Sequence, residues 1–239
     1  MAKRTDREAY PMSDAIKTGC IRGVIFDCDG VLIDSKQANI RFYNLILEAM
    51  GLPAMSPGDE EFVHSQTVTD SIRHIVPQSE VERAFQEARR ISYSSVLPWI
   101  RVQDGLIQGL ERLRAKGVPC AINTNRTNTI GLILDEFGIR SYFEPVVTAE
   151  TVGHPKPHPE SMYWILGRWG LSPENVVFIG DTEVDCRTAA AAGVPFWAFQ
   201  NETLSAERHI NDHCQVCDVV DEMAQGSLGL EHEDRNRKV

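Results

Sequence analysis

Short, almost unbroken apolar runs recur along the chain at Ile21 to Phe26, Val118 to Asn123, Pro145 to Thr148, Val176 to Ile179 and Pro195 to Phe199. Runs of this length without polar alternation predict strands buried on both faces of a parallel sheet. Between them the apolar spacing changes to that of helices. Gly105 to Lys116 carries Leu106, Ile107, Leu110 and Leu113 on one side and ends at Gly117. Ile130 to Phe137 ends at Gly138, His158 to Trp169 at Gly170, and the alanine-rich Asp185 to Ala192 at Gly193. Glycine just past a helical pattern is a stop signal, because it accepts the left-handed conformation that closes a helix. This alternation predicts an α/β fold with a doubly wound, Rossmann-like parallel sheet. Its ligand site should lie at the carboxyl ends of the strands.

From Asp34 to about Pro98 the pattern is helical only. Lys36 to Met50 puts Ile40, Tyr43, Leu47 and Met50 on one stripe and closes at Gly51. Thr69 to Val76 and Ser79 to Val96 follow, with Pro77 as a break. The expected organisation is a discontinuous α/β core, residues 20–34 and 100–225, interrupted by a helical unit at 35–99. Flexible termini are expected at 1–19 and 226–239. The crossings near Ile33 to Lys36 and Leu97 to Asp104 would act as hinges, unless the helical unit is rigidly attached.

Candidate chemistry sits at the ends of the apolar runs. Asp27-Cys28-Asp29-Gly30-Val31 follows Val24-Ile25-Phe26 directly and places two carboxylates two residues apart at a strand end. Alternate side chains of an extended chain share a side, so Asp27 and Asp29 can enter one small site. Carboxylates that close repel unless one is protonated or a cation lies between them. Both solutions suit phosphoryl transfer, but a turn with acidic side chains fits the segment too. Further along, Thr124-Asn125 ends a second run, and Lys156 lies in the stiff Pro155-Lys156-Pro157-His158-Pro159. Finally Gly180-Asp181 ends a third run, with Asp185 four residues on. Taken singly, each has a simpler reading: helix cap, solvated charge or helix N-terminal acid.

Together and in this order, these segments resemble the four motifs of the haloacid dehalogenase-like hydrolase superfamily, phosphatase branch, from about Ile21 to Phe199. The resemblance implies that the helical unit is a small cap, and that closure would exclude water and set specificity. It implies Asp27 as nucleophile, forming an aspartyl-phosphate, and Asp29 as the acid and base. Mg2+ would be held by Asp27, the Asp29 carbonyl and Asp181, with Asp185 holding a metal-bound water or orienting Lys156. Thr124 would bind phosphate, and Lys156 would balance charge in the transition state. Asn125 and Arg126 would assist, although Arg126 also suits a solvated helix start. Candidate cap contacts are His64, Arg41, Arg73 and His74.

Within the superfamily, Asp29 argues against the carbon-dehalogenating members, which lack that acid. No lysine occurs between Lys36 and Lys116, which disfavours the phosphonate-cleaving branch. The β-phosphoglucomutase branch carries a cap histidine at a position that falls on Asn39 here. The chain therefore resembles a phosphoglycolate phosphatase-type enzyme acting on a small phosphate monoester, phosphoglycolate-like or a sugar phosphate. The alternatives are a phosphosugar mutase or a catalytically silent binding protein. His158, where the branch usually has aspartate, and the departures around His64 leave the substrate open.

Composition narrows the partners. The chain has 239 residues and a formal net charge of −10, which argues against nucleic acid. Met1 to Gly19 lacks the apolar stretch of a signal peptide, and no run is long enough to span a bilayer, so a cytoplasmic monomer or homodimer is expected. Six scattered cysteines do not suggest a disulfide framework. His209, His213, Cys214 and Cys217 raise the possibility of zinc, against the simpler reading that the β-prone Gln215 to Val220 packs them into the core.

Overall fold

The computed structural model describes residues 20–65 and 67–223, without the side chains of His64 and Ser65. The termini at 1–19 and 226–239 lie outside the described residues. Strand β1 (Gly23–Phe26) leads through β2 (Ile33–Asp34) into four helices, α1 (Lys36–Met50), α2 (Pro57–Ser65), α3 (Val68–Ile75) and α4 (Val81–Arg90). The chain returns through β3 (Arg101–Val102) and then alternates through α5 (Leu106–Ala115), β4 (Cys120–Asn123), α6 (Ile130–Glu136) and β5 (Phe143–Val147). It continues with α7 (Glu160–Trp169), β6 (Val176–Gly180), α8 (Glu183–Ala192), β7 (Phe196–Phe199) and β8 (Arg208–Ile210). Residues 213–223 are helical.

The main sheet has the order β5-β4-β1-β6-β7-β8, with every neighbouring pair parallel. Its central strands are apolar on both faces because both are covered. Val24 and Phe26 meet Leu106, Leu110 and Leu113 of α5 and Ile133 of α6. Ile25 points the other way, to Met162 and Ile165 of α7 and Ala189 of α8. This is the doubly wound α/β architecture that the apolar runs predict. Helices α1 to α4 have an apolar cluster of their own around Tyr43, Ile46, Leu47, Ile72 and Ala84. The two crossings between that unit and the sheet pair as an antiparallel ribbon, Ile33 with Val102 and Asp34 with Arg101.

Four elements differ from the sequence expectation. Helix α2 carries little periodic apolar signal. The helix expected from Ser79 to Val96 ends at Arg90, and short 3-10 turns follow at Tyr93–Ser95 and Leu97–Trp99. Serines there compete for backbone partners, and the Ser95 hydroxyl donates to the Ser92 carbonyl (2.8 Å). Strand β8 is a short edge strand with two exposed residues of three, so no apolar run marks it. The β-prone stretch Gln215 to Val220 is helical instead. Val216, Val219 and Val220 fall at helical spacing against the core, and the Asp212 carboxylate caps the N–H groups of Cys214 (2.7 Å) and Gln215 (3.2 Å).

The same stretch separates the residues weighed for zinc. His213 is buried, and its Nε2–H donates to the Val31 carbonyl (2.7 Å) beside Phe199. His209 Nε2 lies 3.2 Å from the Leu204 carbonyl, and the Cys217 thiol donates to the Gly109 carbonyl (3.2 Å). All described cysteines are free thiols.

Burial pushes the His213 pKa down to about 4. The unfolded chain, with an ordinary histidine near 6.5, therefore binds that proton more readily. The associated stability is present above about 6.5 and is lost as pH falls towards 4, by about 3 kcal/mol in full. His213→Asn should thus be less stable than the parent at pH 7, with the gap closing by pH 4. A difference in melting temperature that stays constant with pH would refute this.

Candidate active site

Asp27, Thr124 and Asp181 each follow the last residue of one of three adjacent central strands, β1, β4 and β6. From β1 the chain builds outwards to β4 on one side and later crosses to β6 on the other. The site therefore lies where the strand order reverses, at the strands' carboxyl ends.

The turn after β1 is set by Gly30, whose φ of 77° lies in the left-handed region. A Cβ there would also run into the Asp181 carboxylate. Gln103, just past β3, donates from its side chain to the Gly30 carbonyl (3.0 Å), so the returning crossing holds this turn in place. On the far side, a Cβ at Gly180 would collide with Asp185. Glycine there lets the N-terminus of α8 sit against the end of β6. Thr182 and Asp185 cap that helix reciprocally.

Lys156 reaches in from the loop before α7. Its ammonium donates to Asp27 Oδ1 (2.8 Å) and to Asp185 Oδ1 (2.6 Å), with all three groups buried. The Lys156 backbone is clipped by Asn125, whose amide oxygen accepts the Lys156 N–H (3.0 Å) and whose amide nitrogen donates to the Lys156 carbonyl (3.1 Å). Buried Thr124 accepts the Arg126 backbone N–H on its hydroxyl (3.1 Å).

The two carboxylates of the first motif do not share one partner. Asp27 faces Lys156, whereas Asp29 is gripped by Arg126, Nε to Oδ2 at 2.6 Å and Nη2 to Oδ1 at 2.5 Å. Ser35 also donates to Asp29. Arg126 reaches across to the Tyr93 hydroxyl (2.6 Å), in the segment that connects the helical unit back to the sheet.

These surroundings push the two groups in opposite directions. Burial raises the Asp27 pKa well above the ordinary range, the Lys156 charge lowers it less, and Asp185 and Asp181 raise it further. For Asp29, burial opposes ionisation, but the charge and hydrogen bonds of Arg126, with Ser35, outweigh it and hold the pKa down. Burial and the Asp185 charge push Asp181 up to about 7. Lys156 is shifted upwards: burial opposes its charge, and Asp185 and Asp27 more than compensate.

A divalent cation fits this donor set. Carboxylate oxygens of Asp27, Asp181 and Asp185 lie within 4.8 Å of one another. Asp181 Oδ1 is buried with no hydrogen-bond partner among the described residues, an unusual state for a carboxylate unless an ion completes it. Asp185 Oδ1 holds Lys156 and its other oxygen caps α8, so it is the least free of the three.

A family model for the haloacid dehalogenase-like hydrolases matches residues 24–199, which contain every one of these side chains. The chain belongs to that family. It is 30% identical over 194 residues to a phosphoglycolate phosphatase of Yersinia pseudotuberculosis, covering 75% of this chain and 81% of that one. The phosphoglycolate phosphatase of Escherichia coli K12 is 27% identical over 207 residues, covering 73% and 79%. Among solved structures, a haloacid dehalogenase-superfamily hydrolase of subfamily IA from Geobacter sulfurreducens superposes with a TM-score of 0.78 at 35% identity, covering 84% of this chain and 97% of that one. The chain is thus a haloacid dehalogenase-like hydrolase that is similar to phosphoglycolate phosphatases.

Of the residues expected from sequence, Asp27, Asp29, Thr124, Asn125, Arg126, Lys156, Asp181 and Asp185 gather around the ends of β1, β4 and β6. Asn125 enters as a clip on Lys156, with both ends of its amide engaged. Arg126 is not a solvated helix start: its side chain is 11% exposed. In the helical unit, His74 stacks on Phe62 (centroids 3.9 Å apart) and contacts Asp59 (2.9 Å). Arg41 pairs with Glu48 at 3.7 Å, and Arg73 is exposed. The side chain of His64 lies outside the described part of the chain. Tyr93, Gln103 and Thr182 were not legible as site residues. Only Thr182 carried a signal, the Thr-x-x-Asp spacing of a helix cap.

Proposed function

We propose that this phosphatase hydrolyses a small phosphate monoester, phosphoglycolate-like or a sugar phosphate, in a Mg2+-dependent reaction through an aspartyl-phosphate on Asp27. The observation that carries the reading is the division of labour in the first motif, with Asp27 held by Lys156 and Asp29 held separately by Arg126. Asp27 attacks phosphorus as Asp29 gives a proton to the departing alkoxide. Asp29 then takes a proton from water, which attacks the phosphorus and releases Asp27 and inorganic phosphate. Thr124 and Lys156 hold the phosphoryl oxygens. Asp27, the Asp29 carbonyl and Asp181, with support from Asp185, would hold Mg2+, which when bound would supply positive charge to keep Asp27 ionised and to offset charge on the phosphoryl group.

Arg126 holds Asp29 ionised, so it must release Asp29, which then takes up a proton from solvent, before Asp29 can act as the acid; an anionic substrate is a competitor for the guanidinium. The helical unit at 35–99 serves as the cap, coupled to this exchange through Tyr93. Asn39 and the absence of lysine between Lys36 and Lys116 favour water over a returning sugar phosphate as acceptor.

The test is phosphate release from a panel of monoesters, p-nitrophenyl phosphate and phosphoglycolate included, with and without Mg2+. Chelation should abolish turnover, and Asp181→Asn should lower it by roughly 100-fold or more while raising the Mg2+ requirement. Absence of turnover on every ester would favour the silent binding protein. Accumulation of glucose 6-phosphate from β-glucose 1-phosphate and a bisphosphate primer, faster than phosphate release, would favour the mutase.

A further inference from the structure

The loop that carries Lys156 has a second, outward-facing group of ligating side chains that the phosphatase reading does not use. His154, His158 and Glu160 each offer one donor atom, all within 4.8 Å of one another. The His154 Nδ1 lies 2.8 Å from Glu160 Oε2, and the His158 Nδ1 lies 4.0 Å from the same oxygen. The two imidazole rings lie tilted by 36° with centroids 4.6 Å apart. Around a tetrahedral ion with bonds of about 2.0–2.1 Å, neighbouring donors sit about 3.3 Å apart. The observed separations bracket that edge.

We propose that His154, His158 and Glu160 form a second metal site, for a zinc-class divalent ion, on the outer side of the loop whose inner side holds Lys156. Its donor set is the chemical opposite of the carboxylate cluster at Asp27. Two imidazoles and one carboxylate suit Zn2+, Ni2+ or Cu2+, whereas Mg2+ prefers oxygen donors and keeps its waters. The site is open to an incoming ion, since the two histidine side chains are 69% and 52% exposed. Water would complete the coordination.

The ligands are also held before any ion arrives. Pro155, Pro157 and Pro159 fix three backbone φ angles between His154 and Glu160, which lowers the entropy cost of ordering the chelate. The Glu160 carboxylate is oriented by the backbone N–H groups of Gly153 (2.9 Å) and His154 (3.1 Å), as supporting partners orient a ligand in a metal site. Two contacts oppose binding: the His154 Nδ1 must give up its hydrogen bond to Glu160 Oε2 (2.8 Å), losing its proton to the ion, and the His158 Nδ1, which accepts the Glu160 backbone N–H at 3.3 Å, must give up that long hydrogen bond. The second bond is weak and lies at the solvent-facing start of α7, so its N–H can turn to water.

Zn2+ titrated calorimetrically into full-length protein, with excess Mg2+ present to protect the carboxylate cluster, should show one binding event per chain. His154→Ala and His158→Ala should each weaken it at least about 10-fold, and the double variant should remove it. Imidazole resonances of His154 and His158 in the unmodified protein should shift together on adding one equivalent of Zn2+, a readout that needs no variant. An isotherm unchanged in the double variant, imidazole resonances that do not respond, or no binding event at all would each overturn the site. So would a thiolate-to-metal absorption band on loading Co2+, because it would place the ion on cysteine.

Discussion

Asp27→Asn is expected to abolish phosphate release, by at least roughly 10^4-fold in kcat, without lowering the melting temperature. The amide nearly matches the carboxylate in shape but is a far poorer nucleophile. Its effect on stability has a separate origin. Asp27 is buried beside Asp185 and Asp181, which with burial make its charge costly, and one ammonium is shared between Asp27 and Asp185. Replacing it by a neutral group relieves that repulsion and leaves Lys156 paired with Asp185. The variant should therefore melt at or above the parent's temperature in the absence of Mg2+. Retained turnover would remove Asp27 from the nucleophile's role. A large drop in melting temperature would show that its charge stabilises the fold.

The opposite result is expected for Lys156→Met. Removing the ammonium leaves Asp27, Asp181 and Asp185 clustered with no buried cation among them. Breaking one side of a buried ion pair costs about 3–5 kcal/mol, which for a chain of this size lowers the melting temperature by roughly 6–20 °C. The sign with pH follows from the same groups. Without Lys156 the Asp27 and Asp181 pKa values in the folded state rise further above their unfolded values, so stability is lost as pH rises through them. The deficit should be smaller at pH 5 than at pH 8, and Mg2+ should restore part of it. Turnover should fall by roughly 10^2–10^3-fold, as for other lost transition-state donors. Equal melting curves for variant and parent at pH 8 would contradict the electrostatic account.

Much of this was legible because the signals are local. A parallel sheet covered on both faces demands continuous apolar runs, and these marked five of the six strands of the main sheet. The sixth, β8, lies at an edge with two exposed residues, so burial left no trace in its sequence. Helix α1 was readable to its last residue because Tyr43, Leu47 and Met50 recur at helical spacing and Gly51 adopts the left-handed closing conformation. The helix at 213–223 was missed because the valines that favour strand propensity are held helical by the Asp212 cap and by burial on one face.

The sequence by itself determined which chemical groups stand at the strand ends. Asp27, Thr124 and Asp181 directly follow apolar runs, and that ordering is a property of the chain. Only the tertiary structure decided how those groups are paired. Two aspartates two residues apart suggested one shared site, yet Asp27 turns to Lys156, 129 positions away, and Asp29 to Arg126, 97 positions away. Ion pairing falls off with distance in space and takes no account of separation along the chain. Which cation neutralises which carboxylate, and hence which of them is held ionised, is therefore fixed only when the sheet brings β1, β4 and β6 side by side.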